Sequence, residues 1–164
     1  MKTFTNRLLL IACLVLPMLA ACKKEEAPQQ AEAAPLTAPT TQDENAWSAY
    51  LVDVVKRNME GINSTPYLYT LPASTAADFQ GAYDRQLEKA QGDVGRGIIE
   101  GNLLAFGGPE SAKMADLVVA AFSKVDAASM KGVRVLFIGD AADNERVKAA
   151  VTPAGVDYRF IEAK

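Results

Sequence analysis

Histidine is absent from all 164 residues, and cysteine occurs only as Cys13 and Cys22. The stretch from Asn45 to Lys164 therefore holds neither imidazole nor thiol. A Ser-His-Asp triad, a cysteine nucleophile, an ordinary zinc site and a histidine or cysteine haem ligand are all excluded there. A disulfide is excluded as well, so core burial must hold that part of the chain together. Serine chemistry without histidine would need a lysine partner, and no Ser-x-x-Lys occurs. Basic residues do not cluster with interleaved aromatics, which argues against a nucleic-acid partner. The apolar run Leu8 to Leu19 falls short of the roughly 20 residues that a bilayer span needs.

That short run has an address written around it. Lys2 and Arg7 form a positive start, the apolar segment follows, and Leu19-Ala20-Ala21-Cys22 closes it before the charged Lys23, Lys24, Glu25 and Glu26. The segment resembles the lipobox of bacterial lipoproteins. The resemblance covers Met1 to about Lys24. It implies cleavage after Ala21 and diacylglycerol and acyl chains on Cys22, several chains giving a stable membrane anchor. It also implies a periplasm-facing domain, with Lys23 in place of Asp favouring the outer membrane. Losing Lys2 and Arg7 from seventeen basic residues leaves fifteen against twenty acidic, a balance of −5. No second, electrostatic attachment to anionic lipid is expected from that balance.

Three regions follow: a signal peptide over 1–21, the lipidated cysteine with an Ala/Pro/Gln-rich tether over 22–44, and a folded domain over 45–164. The tether contains almost nothing large and apolar, so burial cannot offset the cost of ordering it. Pro28, Pro35 and Pro39 make it semi-extended, and it gives the domain reach.

In the domain, helical and strand patterns alternate. Trp47, Tyr50, Leu51, Val54, Val55 and Met59 share a helical face, capped by Asp43 or Asn45 and ended near Gly61. Tyr67 to Leu71 reads as a strand, and Phe79, Tyr83, Leu87, Ala90 and Val94 as the face of a helix. A second strand runs through Phe106. Pro109 then opens a helix carrying Met114, Leu117, Val118, Ala121, Phe122 and Val125. Val133 to Ile138 is apolar apart from Arg134, which marks a central strand covered on both faces. A shorter helix over about Asp143–Val151 stops at Pro153 and Gly155, and "VDYRFIEAK" alternates as an edge strand does. This order predicts an α/β class: a small three-layer Rossmann-like or flavodoxin-like domain with a mostly parallel four-stranded sheet and an extra N-terminal helix. A thioredoxin-like or mixed-sheet arrangement is the alternative.

Ligands of such sheets bind beyond the carboxyl ends of the strands. That places Pro72 to Thr75, Gly107 to Glu110 and Gly139 to Glu145 at the candidate edge. Gly107 and Gly108 before a helix start could present backbone N–H groups to an anion, though Glu110 stands against it and a tight turn explains them equally. "GDVGRG", Gly92 to Gly97, follows a helix and lacks dinucleotide-loop spacing. "VLFIGDAADNE" resembles the fourth motif of haloacid-dehalogenase-type phosphatases, which implies magnesium ligands at Asp140 and Asp143 with Glu145 nearby. The family's Asp-x-Asp nucleophile is missing, since the first strand ends in Pro72 and Ala73. Helix capping by Asp140 or Asp143 is the simpler reading. Ser74, Thr75, Arg85, Arg96 and Arg134 have no base beside them in the sequence.

The expected role is a lipid-anchored envelope protein acting as a non-enzymatic binding module for another envelope protein, with no catalytic residue, cofactor or metal assigned. The alternative is a small-ligand or metal-binding domain, or a degenerate phosphatase-like enzyme, using Gly107, Gly108, Asp140 and Asp143. A hydrolase with unfamiliar paired carboxylates ranks third.

Overall fold

A computed structural model describes residues 34–164. The expected signal peptide, Cys22 and the first part of the expected tether lie outside the described residues. Helix α1 (Glu44–Arg57) starts where the Asp43 carboxylate accepts the Ala46 N–H at 2.7 Å. Glu44 stands at its positive end and Lys56 and Arg57 at its negative end, matching the helix dipole. Strand β1 (Tyr67–Tyr69) is followed by α2 (Phe79–Gly95), β2 (Leu103–Gly107), α3 (Ser111–Phe122), β3 (Arg134–Gly139), α4 (Ala141–Val151) and β4 (Asp157–Glu162).

The four strands form one sheet in the order β1-β2-β3-β4, and all three pairings are parallel. The expected α/β class is what the chain adopts, with a wholly parallel sheet and the extra helix at its N-terminal side. Sequential order has a consequence. Crossovers of one hand between successive neighbours put every connecting helix on the same face. Accordingly α2, α3 and α4 pack with Tyr69, Leu104, Phe106, Val135 and Phe137 on one face. The opposite face, made by Leu103, Ala105, Leu136 and Ile138, would be bare without α1, whose Trp47, Tyr50, Leu51, Val54 and Val55 cover it. Every residue of β2 and β3 is buried, as their nearly continuous apolar runs require. The strand order never reverses, so the central crevice that a reversal opens in doubly wound sheets does not form.

Several element ends differ from the sequence reading. β1 stops at Tyr69, two residues early. α1 ends at Arg57, where Asn58 caps it through its backbone N–H and donates its side-chain amide to the Val54 carbonyl at 2.8 Å. α2 runs on through Gly92 to Gly95 because Ala90, Asp93 and Val94 are buried there and offset the glycines.

The stretch 34–43, the later part of the expected tether, makes specific contacts. The Leu36 N–H donates to Asp53 Oδ2 at 3.1 Å, and the Ala38 N–H donates to the Lys164 carbonyl at 3.3 Å. Trp47 Nε1 donates to the Thr41 carbonyl at 2.9 Å. None of the described helices is long and apolar enough to cross a membrane.

Candidate functional site

The four residues singled out for ligand binding lie at the carboxyl ends of the adjacent strands β2 and β3. Gly107, Gly108 and Asp143 have structural occupations, and Asp140 is held only through its backbone N–H. A Cβ on Gly107 would stand 2.6 Å from Leu51 Cδ2 and 3.0 Å from Ile138 Cβ, so glycine lets α1 close onto the sheet. Gly108 has φ +152, and a Cβ there would meet Thr70 Oγ1 at 3.1 Å and the Leu71 carbonyl at 3.3 Å. Glu110 Oε1 accepts the Ser74 N–H at 2.7 Å and Gln42 Nε2 at 2.9 Å, tying the β1 and β2 loops to the segment before α1.

Asp143 is buried, and both of its oxygens are engaged. Ser111 Oγ donates to Oδ2 at 2.6 Å, while Arg146 Nε and Nη2 donate to Oδ1 at 3.0 and 2.7 Å. Ser111 Oγ also accepts the Asp140 N–H at 2.8 Å. Arg146 reaches on to the Asp116 carboxylate and the Ala112 carbonyl; the Asp116 contact, with Asp143 next, holds its guanidinium above the ordinary range. Ser111 thus pins the start of α3 to the start of α4. Asp140 sits at the N-cap of α4, exposed, and its side chain makes no capping bond. Among the described residues no group of three or more Asp, Glu, His or Cys is placed to hold a metal ion.

Arg134 is a clamp. Its Nε donates to Asp157 Oδ2 at 2.8 Å, and its Nη1 donates to the Asn58 and Glu60 carbonyls, each at 2.8 Å. The guanidinium therefore satisfies carbonyls left open at the end of α1 and fastens them to the amino end of β3.

The open space lies elsewhere. A cleft of about 630 Å³ runs beside β1, between α1 and α2. Leu68, Thr70, Leu71 and Pro72 form its sheet side, Trp47, Ser48 and Leu51 its α1 wall, and Ala82, Arg85, Gln86 and Lys89 its α2 wall. The cleft straddles the sheet edge, since α1 and α2 belong to opposite faces. Arg85 and Lys89 lie one turn apart on α2, Arg85 paired with Asp78 at 2.9 Å and Lys89 with Asp93 at 3.1 Å, and Glu44 lies at the start of α1. A shallower hollow of about 440 Å³ continues along α2, past Glu88, Asp93 and Arg96.

Behind the cationic wall, the buried Tyr69 hydroxyl donates to Asp93 Oδ2 at 2.8 Å. Lys89 Nζ donates to the same oxygen at 3.1 Å and stands 4.3 Å from the Tyr69 ring centre. Arg96 closes on the other carboxylate oxygen. Burial by itself raises the Asp93 carboxyl, but the Tyr69 hydroxyl, Lys89 and Arg96 outweigh it and hold the group below the usual carboxylate range. Burial first, then the Asp93 bond, pushes the Tyr69 phenol far up, so it stays a donor. Lys89 is therefore tethered at its tip by a carboxylate and a ring face, and is less free than an ordinary surface lysine.

Sequence reasoning found Pro72 and Arg85 and read the Trp47 helix as a packed face. It missed Lys89, Gln86 and the exposed edge of β1. Two cations at i and i+4 beside a three-residue strand were the available signal. No protein-family model, no curated protein and no solved structure matches this chain.

Proposed function

We propose that this protein is a lipid-anchored, periplasm-facing envelope protein whose domain is a non-enzymatic binding module, with the β1 cleft as its recognition surface. The anchor rests on Leu19-Ala20-Ala21-Cys22 and the charged residues after it. The binding role rests on one observation. The cleft beside β1 combines apolar side chains, a sheet edge and the ion-paired Arg85 and Lys89, while Asp143 and Gly107 are committed to packing. Apolar lining with a few convergent polar groups is what recognition sites share.

In-cell photocrosslinking tests it. A photoreactive residue at Ser48, on the cleft wall, is expected to give a discrete adduct, whereas one at Lys124, beyond the end of α3, is not. Equal labelling from both positions, or none from Ser48, would refute the cleft as the recognition surface.

A further inference from the structure

The segment before α1 is fastened to the domain at four points. The Leu36 N–H donates to Asp53 Oδ2 on α1 at 3.1 Å, beside the Arg57 Nε bond to the same oxygen at 2.9 Å. Arg57 first, then this N–H, hold the Asp53 carboxyl below the usual carboxylate range. The Ala38 N–H donates to the Lys164 carbonyl at 3.3 Å, and Ala38 packs with Ile161 and Ala163 against the apolar cluster under α1. The Thr41 carbonyl accepts Trp47 Nε1, and Gln42 Nε2 donates to Glu110. Lys164 lies just past β4, whose ladder continues as the Ala163 N–H donates to the Gly139 carbonyl at 3.0 Å. Glu110 lies just past β2. The segment therefore crosses the carboxyl edge of the sheet, from β4 to β2, before α1 begins.

That crossing decides where the chain leaves the domain. Glu44 and Asn45, the first residues of α1, line the cleft beside β1. A tether running free from Asp43 would leave at the cleft mouth. The docked segment instead brings the chain out beside β4, the opposite edge of the sheet, about 14 Å away at ordinary strand spacing. A single helix covers this sheet face. The segment fills the β4 flank of that helix, and the β1 flank stays open as the cleft. We propose that residues 36–43 are a strap that carries the anchored chain away from the cleft and holds the recognition surface clear of tether and bilayer. This deepens the recognition role proposed above and rests on it and on the lipid anchor. The strap also shortens the reach of the domain. Fully extended, the chain from Cys22 to Leu36 spans at most about 50 Å, against about 75 Å from Cys22 to Glu44.

Two measurements on the full lipidated chain test the strap. Docking is read by amide exchange in detergent, where Leu36 and Ala38 are expected to exchange about tenfold or more slower than unstructured chain. Ala38→Cys with Lys164→Cys should close a disulfide, since a backbone hydrogen bond already joins the two residues. Orientation is read in vesicles whose headgroups chelate nickel. A nitroxide on Glu162→Cys, at the end of β4, is expected to relax faster than one on Glu88→Cys, on α2. Ala38→Pro with Asp53→Ala removes the Ala38 N–H and the acceptor of the Leu36 N–H, and should at least halve the difference between the two labels. Should that variant fail to fold, the disulfide-locked form decides, and it should keep the difference seen in the parent. Unprotected Leu36 and Ala38 amides, no disulfide, or relaxation at position 88 equal to or faster than at position 162 would each overturn the strap. If Ser48 captures a partner in cells while the strap amides exchange freely, the strap fails and the recognition role stands. If the amides are protected and the labels differ as expected but Ser48 captures nothing, the strap stands as a fixed exit point and the recognition role falls.

Discussion

Ser111 and Asp143 show how a polar pair can hold two helices without doing chemistry. Ser111 serves the Asp143 carboxylate and the Asp140 N–H at once, and Gly139 makes room for it, since a Cβ there would stand 2.5 Å from Ser111 Oγ. Ser111→Ala leaves a buried carboxylate short of a donor and an N–H without an acceptor. It should cost about 1–3 kcal/mol, read as a lower denaturation midpoint with an unchanged slope. Magnesium is expected to leave the melting temperature of the parent chain unchanged, because Ser111 and Arg146 already occupy Asp143; a clear rise would restore the metal reading. Asp93 carries a pH dependence. Its folded carboxyl is held low, so its contribution is present above the unfolded value of about 3.9 and fades as pH falls through the lower folded value. Asp93→Asn should therefore melt below the parent at neutral pH, and the gap should narrow in acid. Tyr69→Phe removes the buried donor and should move the acid transition of the parent to higher pH.

The decisive element is α1, because sequential strand order leaves one sheet face to it alone. Leu51 lies over Gly107, and Trp47, Tyr50, Val54 and Val55 cover Leu103, Ala105, Leu136 and Ile138. Gly107→Ala forces a methyl against Leu51 and the Ile138 backbone oxygen at 3.1 Å, and overpacking of this kind costs about 1–3 kcal/mol. The same change should alter crosslinking from Ser48, since α1 also walls the cleft. A chain lacking residues 34–57 would bare an apolar sheet face and is expected to aggregate, visible in light scattering. Arg134 fixes the far end of the helix, so α1 is fastened at both termini: by Asp43 and Trp47 at its start and by the carbonyl clamp at its end.

For the molecule as a whole, the proposed anchor and the domain make separate predictions. Cys22→Ser should abolish palmitate incorporation and membrane sedimentation yet leave the melting temperature of the domain unchanged. Retained acylation in that variant would remove the basis for the lipobox resemblance. The proposed cleavage would leave a balance of −5 once Lys2 and Arg7 are lost, and a net acidic chain gains nothing from anionic lipid.

Local pattern determined the helices, the strands and the α/β class, because hydrophobic period and helix caps act over a few residues. Val133 to Ile138 announced a central strand by its apolar run, and the structure buries it on both faces. The absence of imidazole and thiol from the folded part was equally legible. Tertiary structure alone decided the rest. Strand order set which face α1 must cover and left β1 as an open edge. Asp140 and Asp143 looked alike in sequence, yet Ser111, some thirty residues away, engages one and leaves the other's carboxylate in solvent. The cleft was invisible for the same reason. Its walls come from three segments distant along the chain, and only packing brings their side chains to one place.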